Sequence, residues 1–198
     1  MPRKKLIRTN LYPYHVTIRC NNKEWFDVPL HIVWNICKRA LCRANSKHPV
    51  KVQAFVLMSN HYHLMIWTPL ANIDKFMFEL NRSISFEIRS KTGRINRIFG
   101  DRYKWTLIDN SDYYSVVLRY IYQNPIKKGI VEICEDYPFS TLNYLVKNKS
   151  FPLELHTRDT LELYQKNYFN CSRSLSNREE FSKSFTRSTF KPPKCHVP

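Results

Sequence analysis

Two histidines interrupt an otherwise apolar run at residues 55–67, FVLMSNHYHLMIW. Because alternate residues of a β-strand point to one face, His61 and His63 would lie side by side, about 7 Å apart. Two imidazoles at that spacing can bind a single metal ion. The triplet alone is equally compatible with two half-exposed surface histidines. Polar side chains inside an apolar strand need partners, however, so the context favours a metal-binding pair.

A hydroxyl and an amide that could complete such a site lie in residues 111–131, SDYYSVVLRYIYQNPIKKGIV. We predict a helix that runs to about Asn124, where Pro125 ends it. Tyr120 and Asn124 are then one turn apart on the same face. Asn124 would offer an oxygen ligand and Tyr120 a hydroxyl beside it, although a core tyrosine on an amphipathic helix fits Tyr120 as well. The rival hydroxyls are those of Tyr113, Tyr114 and Tyr122.

The hydrophobic pattern places these residues in a small α+β domain. Apolar alternation and short apolar runs predict strands at 11–20, 48–58, 61–67 and 103–109. Helical spacing of apolar residues predicts helices at 29–44, 73–90 and 111–124, with a short candidate at 158–169. This order indicates a mainly antiparallel sheet with helices packed on it.

Three details of this pattern can be compared with a structure. Tyr12, Tyr14, Val16 and Ile18 should share one side of the first strand. The core stripe of the 73–90 helix should consist of Phe76, Leu80, Ile84 and Ile88. The polar pair Ser59–Asn60 should form a bulge or a tight turn between two strands.

The composition indicates a polyanionic partner. The chain has 32 Lys and Arg against 16 Asp and Glu, a formal charge of +16. Nucleic acid is favoured over a membrane surface because the basic residues are scattered along the chain rather than gathered on one amphipathic helix. Aromatic residues make up 14% of the chain. Many must belong to the core, but exposed ones would suit stacking on unpaired bases.

The sequence gives no sign of export or of membrane insertion. No segment reaches the roughly 18 apolar residues of a membrane span, and the basic start MPRKKLIRTN is followed by no apolar core of a signal peptide. The six cysteines form no CxxC pair and show no zinc-finger spacing. We therefore expect reduced thiols in a cytoplasmic, nucleoid-associated protein. We interpret Cys195–His196 as part of a terminal tail rather than as a metal site.

The composition changes near residue 150. Beyond it Ser, Asn, Arg and Lys dominate, which is typical of a basic arm that a partner or the body must order. We predict a domain at 1–150 and a basic C-terminal extension of unknown role at 151–198.

Taken together, these motifs resemble a known family. HYH in an apolar strand, followed by RYIYQNPIKKGIV on a later helix, is similar to the single-tyrosine HUH transposases, and more closely to the REP-associated tyrosine transposases. Three further segments fit: YHVTIRCNNKEWF, RIFGDRYKWTLID and DYPFSTLNYL. The resemblance covers roughly residues 10–146. The family often has proline where Ser59 stands, and the chain beyond about residue 150 matches nothing in it.

The resemblance implies a ferredoxin- or RRM-like HUH nuclease fold and a reaction on single-stranded DNA. His61, His63 and Asn124 would hold Mg²⁺ or Mn²⁺, and Tyr120 would attack a phosphate, leaving a 5′-phosphotyrosine and a free 3′-OH. Such an enzyme is a sequence- or structure-specific endonuclease and strand transferase that cuts near DNA hairpins. Whether it acts as a monomer or a homodimer stays open.

Several basic residues are candidates for contacts with the DNA backbone, with a solvated basic face as an equally good interpretation of each. They are Arg3, Lys4, Lys5, Lys91, Arg94, Arg97, Arg102, Lys127 and Lys128.

Three other functions share features with this pattern. The main alternative is a non-catalytic nucleic-acid-binding protein with an RRM-like sheet, in which the histidines only stack on bases. A phosphodiesterase with paired His-x-Thr motifs is excluded because the chain does not carry two of them: His15–Val16–Thr17 stands alone, and His156–Thr157 has no residue between the two. A replication initiator or relaxase of the HUH group shares the chemistry, but NPIKKGIV is closer to the transposase branch.

Overall fold

The computed structural model describes residues 5–170 and residue 189, and within them a four-stranded antiparallel sheet. Its strands are β1 (Tyr14–Arg19), β2 (Lys51–Leu57), β3 (His61–Trp67) and β4 (Lys104–Leu107), in the order β2-β3-β1-β4. The α+β prediction is confirmed, and the strand order is that of a ferredoxin-like fold. The helices are α1 (Leu30–Lys47), α2 (Ile73–Thr92), α3 (Ser111–Tyr122), α4 (Asn124–Lys127), α5 (Thr141–Val146) and α6 (Arg158–Gln165).

One face of the sheet carries the main core, under α1 and α2. Tyr14, Val16 and Ile18 of β1 point to this side, as the alternation predicted. Tyr12 does not, because the strand begins only at Tyr14 and Tyr12 is exposed. The predicted stripe of α2 is confirmed, since its four residues are fully buried: Phe76, Leu80, Ile84 and Ile88.

The opposite face is divided into an apolar half and a polar half. Near the β2 side, Ala54, Val56 and Met65 pack against α3 in a second apolar cluster. Toward the other end of the same face the strands present polar residues. Strand register places Thr17 opposite His63 and Arg19 opposite His61, so these four side chains share one side of the sheet.

The strands β2 and β3 form a hairpin whose turn lies at Ser59–Asn60, where the backbone N–H of Met58 donates to the carbonyl of His61 at 2.8 Å. Of the two forms predicted for Ser59–Asn60, a bulge or a tight turn, the structure has the tight turn. The bulge lies elsewhere in the hairpin, between Val52 and Ala54. This turn brings His61 to the first position of β3.

The outer edge of β2 is covered by the segment that follows α4. The backbone N–H of Leu57 donates to Phe139 at 3.0 Å, and the Tyr137 hydroxyl donates to the Leu57 carbonyl at 2.7 Å. Leu155 continues this cover with a bridge to Val52. Satisfying these backbone groups removes an exposed edge that another strand would otherwise pair with.

The division at residue 150 stays a prediction, and most of 151–198 lies outside the described residues, including Cys171, Cys195 and His196. The described part of that segment packs on the body. Phe169 is fully buried with its ring 5.1 Å from that of Tyr122, and its carbonyl accepts from the Gln123 side chain at 2.9 Å. Residues up to Asn170 thus support the helix that carries Tyr120.

The sequence predicted no membrane span and reduced cysteines, and both expectations can be compared with the residues that the structure describes. None of the helices there is long and apolar enough to cross a membrane. Cys20, Cys37, Cys42 and Cys134 carry free thiols.

Candidate functional site

The two histidines of β3 lie on the polar half of the sheet, facing away from the main core. Both are buried, and their ring centres are 5.1 Å apart with the planes nearly perpendicular, at 80°. The strand places the pair as predicted, because residues two apart share a face.

Asn60 determines the tautomer of His61. Its side-chain N–H₂ donates to the carbonyl of Lys23 at 2.7 Å, which leaves Oδ1 as the atom 2.8 Å from Nδ1 of His61. Since Oδ1 only accepts, the proton of the imidazole must lie on Nδ1. The Nε2 atom of His61 therefore keeps its lone pair, which is what a metal ligand needs.

A third histidine, His15, completes the cluster and was missed in the sequence. It lies on β1, fully enclosed, with Nε2 3.0 Å from Nδ1 of His63 and the two rings stacked at an interplanar angle of 8°. A signal was available. Because Tyr14, Val16 and Ile18 face the core, the residues between them must face the other side, and His15 is the first of these.

Burial keeps all three imidazoles neutral. Loss of solvation lowers the pKa of His15 to about 3. The same cause, with the charges of Arg19 and Lys128, lowers the pKa of His61 to about 4. Burial, followed by the neighbouring imidazoles of His15 and His61, lowers the pKa of His63 well below its usual range. At neutral pH each ring thus has one protonated nitrogen and one nitrogen with a lone pair.

Tyr120 reaches the same cluster from α3. Its ring meets that of His63 edge-on, with 5.6 Å between ring centres, and lies 5.9 Å from that of His15. The ammonium of Lys127 lies 4.8 Å from the centre of the Tyr120 ring. Helix α3 is held in place at its start by Asn110, whose side chain accepts from the Asp112 N–H at 2.7 Å. Its buried face includes Val117, Leu118, Ile121 and Tyr122.

Asn124 lies in the same cleft but not on the predicted helix. Helix α3 ends at Tyr122, and Asn124 begins the short helix α4 with Pro125 in its first turn. The prediction that Pro125 ends the helix after Asn124 was wrong, because proline is well accepted in a first helical turn, where its missing N–H has no partner to lose. The amide of Asn124 donates to the carbonyls of Tyr120 at 2.8 Å and Ile121 at 3.3 Å. Asn124 lines the cleft, and its oxygen takes no part in these two bonds.

These side chains line a cleft of about 820 Å³, which we call the histidine cleft. Its walls carry five basic residues and one acidic residue, Asp101. The basic ones are Arg19, Lys23, Arg102, Lys104 and Lys128. With neutral imidazoles at its centre, the cleft attracts anions, and a phosphate chain is the anion that such spaced cations suit.

The donor atoms of the cleft fit a divalent ion that is bound together with a substrate. Two imidazole Nε2 atoms and one amide oxygen are ligands that first-row divalent ions accept. No cluster of three or more His, Cys, Asp or Glu side chains is arranged for a metal ion within the described residues. Phosphate oxygens and water would have to fill the other positions, as is usual for Mg²⁺ at phosphate sites.

One wall of the histidine cleft includes Gly100, Asp101 and Arg102, from the segment Arg97–Tyr103, which packs closely on the end of β1. The backbone N–H of Asn21 donates to the Ile98 carbonyl at 2.8 Å, and a Cβ on Gly100 would lie 2.8 Å from the Asn21 side-chain oxygen. Only glycine allows the two segments to approach this closely. The approach brings Arg102 to the rim of the cleft.

The structure changes the interpretation of one proposed DNA contact. Arg94 forms ion pairs with Glu24 and with Asp27, the latter at 3.1 Å, and only 13% of its side chain is exposed. A guanidinium held by two carboxylates fastens its loop to the segment after β1, so the phosphate contact predicted for Arg94 would require these ion pairs to open and stays a prediction.

The remaining predicted contacts fall into three groups. Arg102, Lys127 and Lys128 lie at or beside the histidine cleft. Lys5, Lys91 and Arg97 are exposed, and Lys91 belongs to α2 rather than to the following loop, because the helix extends to Thr92. Arg3 and Lys4 lie outside the described residues.

Comparisons with known proteins agree with the motifs. A family model described as "Transposase IS200 like" matches residues 8–124. The REP-associated tyrosine transposase of Escherichia coli (strain K12) is 28% identical over 121 residues, 61% of this chain and 72% of the relative. The solved structure of a REP-associated tyrosine transposase bound to a REP hairpin has a TM-score of 0.64 at 21% identity, covering 74% of this chain and 86% of that one. That likeness shows a shared fold.

The family match runs from the residues just before β1 to Asn124, more than half of the chain. It therefore includes His15, both histidines of β3 and Tyr120. The resemblance inferred from the HYH and YIYQNP motifs is confirmed, and this chain belongs to the IS200-like transposase family.

Proposed function

We propose that this transposase-family chain cuts and rejoins single-stranded DNA beside a hairpin, with Tyr120 as the nucleophile. The observation that supports this proposal is the meeting of Tyr120, from α3, with His63, from β3, at a ring distance of 5.6 Å. A tyrosine beside neutral imidazoles in a basic cleft suits covalent transfer of a phosphodiester.

In the proposed step, the Tyr120 hydroxyl oxygen forms a bond to the scissile phosphorus, and the bond from phosphorus to the 3′ oxygen breaks. The phenolic proton leaves to solvent, and the departing 3′ oxygen takes up a proton. The products are a 5′-phosphotyrosine and a free 3′-OH, and attack by another 3′-OH reverses the step and joins strands. Lys127, 4.8 Å from the ring centre, would stabilise the negative charge that develops on the phenol oxygen.

His61 and His63, through Nε2, and Asn124, through its side-chain oxygen, would hold Mg²⁺ or Mn²⁺. When bound, the ion would polarise the scissile phosphate and stabilise the departing 3′ oxygen. His15 would act as a positioning residue. By accepting from Nδ1–H of His63, it would fix the tautomer in which Nε2 of His63 carries the lone pair.

The basic walls of the histidine cleft would hold the DNA backbone on either side of the scissile phosphate. A related solved structure holds a REP hairpin, and we extend this to a hairpin with a single-stranded flank as the substrate of the present chain. Cytoplasmic localisation goes with this proposal.

The test uses a labelled DNA hairpin with single-stranded flanks, Mn²⁺ and denaturing gels. The wild-type protein should give a band of DNA linked to protein, and Tyr120→Phe should give none. Tyr113→Phe is the matched control, since Tyr113 is also a partly buried tyrosine on α3, and it should keep the band.

Two results would contradict the proposal. A covalent band of normal intensity from Tyr120→Phe would mean that another group is the nucleophile. Tight hairpin binding by the wild type without any covalent product, under every divalent ion tried, would instead favour the non-catalytic nucleic-acid-binding protein.

A further inference from the structure

A second concave surface lies next to the histidine cleft, between α2 and the segment Arg97–Tyr103. It encloses about 540 Å³, and we call it the α2 groove. One wall is a face of α2 that includes Phe78, Arg82 and Arg89. The other wall includes Arg97 and Arg102.

The groove is strongly basic. Five arginines and two aspartates line it, and the ion pair of Arg8 with Asp74 at 2.8 Å leaves four arginines against Asp101 within the lining. The lining therefore has an excess of positive charge, as a surface for a polyanion requires. An acidic peptide would satisfy the charge equally, so charge alone does not decide the occupant.

An exposed aromatic ring favours nucleic acid over an acidic peptide as the occupant. Phe78, in the second turn of α2, is 67% exposed. The guanidinium of Arg82 lies 6.0 Å from the centre of the Phe78 ring; it is ion-paired with Glu79 at 3.3 Å, and 61% of the Arg82 side chain is exposed. A flat ring beside exposed guanidinium groups is what nucleic-acid proteins use to stack on unpaired bases while holding their phosphates.

The α2 groove is continuous with the histidine cleft. Ile18, Asp101 and Arg102 line both. Arg102 thus lies where a DNA strand leaving the histidine cleft would enter the α2 groove. The row of basic residues continues from the cleft into the groove.

We propose that the α2 groove binds single-stranded DNA that continues from the scissile phosphate, with one base stacked on Phe78 and with phosphates held by Arg97 and Arg102. This inference rests on the proposed function, because it names where the substrate strand goes after it leaves the histidine cleft. Stacking on Phe78 needs a base that is not paired, so the occupant is a single strand and not the hairpin stem.

The test is a matched pair of substitutions on α2. Phe78→Ala removes the ring in the groove, while Phe86→Ala removes an equally exposed ring, 71% accessible, that does not line the groove. Both are made in the Tyr120→Phe background, and binding is measured by fluorescence anisotropy without divalent ions. One probe is a hairpin with single-stranded flanks, and the other is the same hairpin with blunt ends.

We expect Phe78→Ala to bind the flanked hairpin about 5- to 150-fold more weakly, the range for loss of one stacked base. Phe86→Ala should bind it as the parent does, and neither substitution should affect the blunt hairpin. Arg97→Ala should lower the slope of log K against log salt by about 0.7 for the flanked hairpin. Lys75→Ala, an exposed lysine of α2 outside the groove lining, should not.

Equal affinities of Phe78→Ala and Phe86→Ala for the flanked hairpin would overturn the inference and leave the proposed function intact. An equal loss on both probes would overturn it too, since the groove would then contact the stem. If the parent protein bound neither probe, the proposed function itself would fail. Melting temperatures within a degree or two of the parent would confirm that the variants are folded.

Discussion

The Nε2 atom of His15 lies 3.0 Å from the Nδ1 atom of His63, with the two rings stacked nearly parallel. One of these two atoms must carry a proton and the other a lone pair, because both rings are neutral at pH 7. If His63 donates, its Nε2 is available to a metal. If His15 donates, the proton of His63 lies on Nε2 and blocks it. The pair therefore determines whether His63 can be a ligand.

We expect His15→Phe to weaken Mn²⁺ binding about 10- to 100-fold, the usual effect of losing a partner that orients a metal-binding histidine. Phenylalanine keeps a ring in the stack but cannot accept from His63. His15→Gln offers an oxygen acceptor and should restore most of the affinity. Isothermal titration calorimetry with Mn²⁺ and no DNA measures this directly.

A purely structural role for His15 makes the opposite prediction, because phenylalanine would then be the better replacement. Nitrogen-15 NMR of the metal-free protein gives a second reading. We expect the proton of His63 on Nδ1 in the wild type, and finding it on Nε2 would rule out the role proposed for His15.

Asn124→Asp should separate metal binding from stability. The Asn124 amide donates to two helix carbonyls, and a carboxylate in its place would repel them. We expect the free energy of unfolding to fall by about 1–3 kcal/mol. The affinity for Mg²⁺ should rise, because a carboxylate is a better ligand for hard cations than an amide oxygen.

The two effects are measured separately, by urea unfolding in EDTA and by calorimetry with Mg²⁺. Asn124→Ala is the control and should lose stability without gaining affinity. An Asp variant with unchanged stability and no increase in affinity would show that Asn124 does not face the metal.

The parts of the site that the sequence predicted depend on local periodicity. Residues two apart on a strand share a face, which was enough to pair His61 with His63. The amphipathic pattern of α3 placed Tyr120 close to where the structure has it. These rules need no knowledge of which strands are neighbours.

The features of the site that could not be predicted depend on strand order and on local rules that compete with one another. His15 is 48 residues from His63 along the chain, and only the pairing of β1 with β3 brings them together. Pro125 is compatible with both the end and the start of a helix, and the start prevailed. Arg94 resembled any other loop cation until the fold placed two carboxylates beside it.

The buried imidazoles should make the metal-free protein sensitive to acid. In the unfolded chain a histidine titrates near 6.5, whereas burial lowers the pKa of His61 to about 4 and that of His15 to about 3 in the folded protein. At acid pH the unfolded state therefore binds protons that the folded state does not bind. The contribution of these histidines to the free energy of unfolding is complete above pH 6.5 and is lost as the pH falls toward 4.

Between pH 7 and pH 5 we expect the free energy of unfolding to fall by roughly 1–2 kcal/mol for each buried imidazole. Urea unfolding in EDTA at several pH values measures it. His15→Phe removes one titrating group and should give a shallower dependence on pH. An equally steep dependence in that variant would mean that other groups cause it.

Arg94 and Arg97 lie three residues apart in one loop and should give opposite results. Arg94→Ala breaks ion pairs with Glu24 and Asp27, and we expect it to lower the free energy of unfolding by about 1 kcal/mol, because both carboxylates are largely solvent-screened. Arg97 is exposed and forms no ion pair with the carboxylates of residues 5–170, so Arg97→Ala should leave stability within about 0.5 kcal/mol.

For DNA binding we expect the opposite ranking of the two variants, with the larger loss in Arg97→Ala. Arg97→Ala removes a cation that faces the α2 groove and should weaken binding of the flanked hairpin, more so at low salt than at high salt. Arg94→Ala should bind nearly as the parent does once it is folded, because its guanidinium already serves two carboxylates. If Arg94→Ala lost DNA affinity at full stability, the loop cations would contact the backbone as the sequence first indicated, and the ion pairs would have to open when DNA binds.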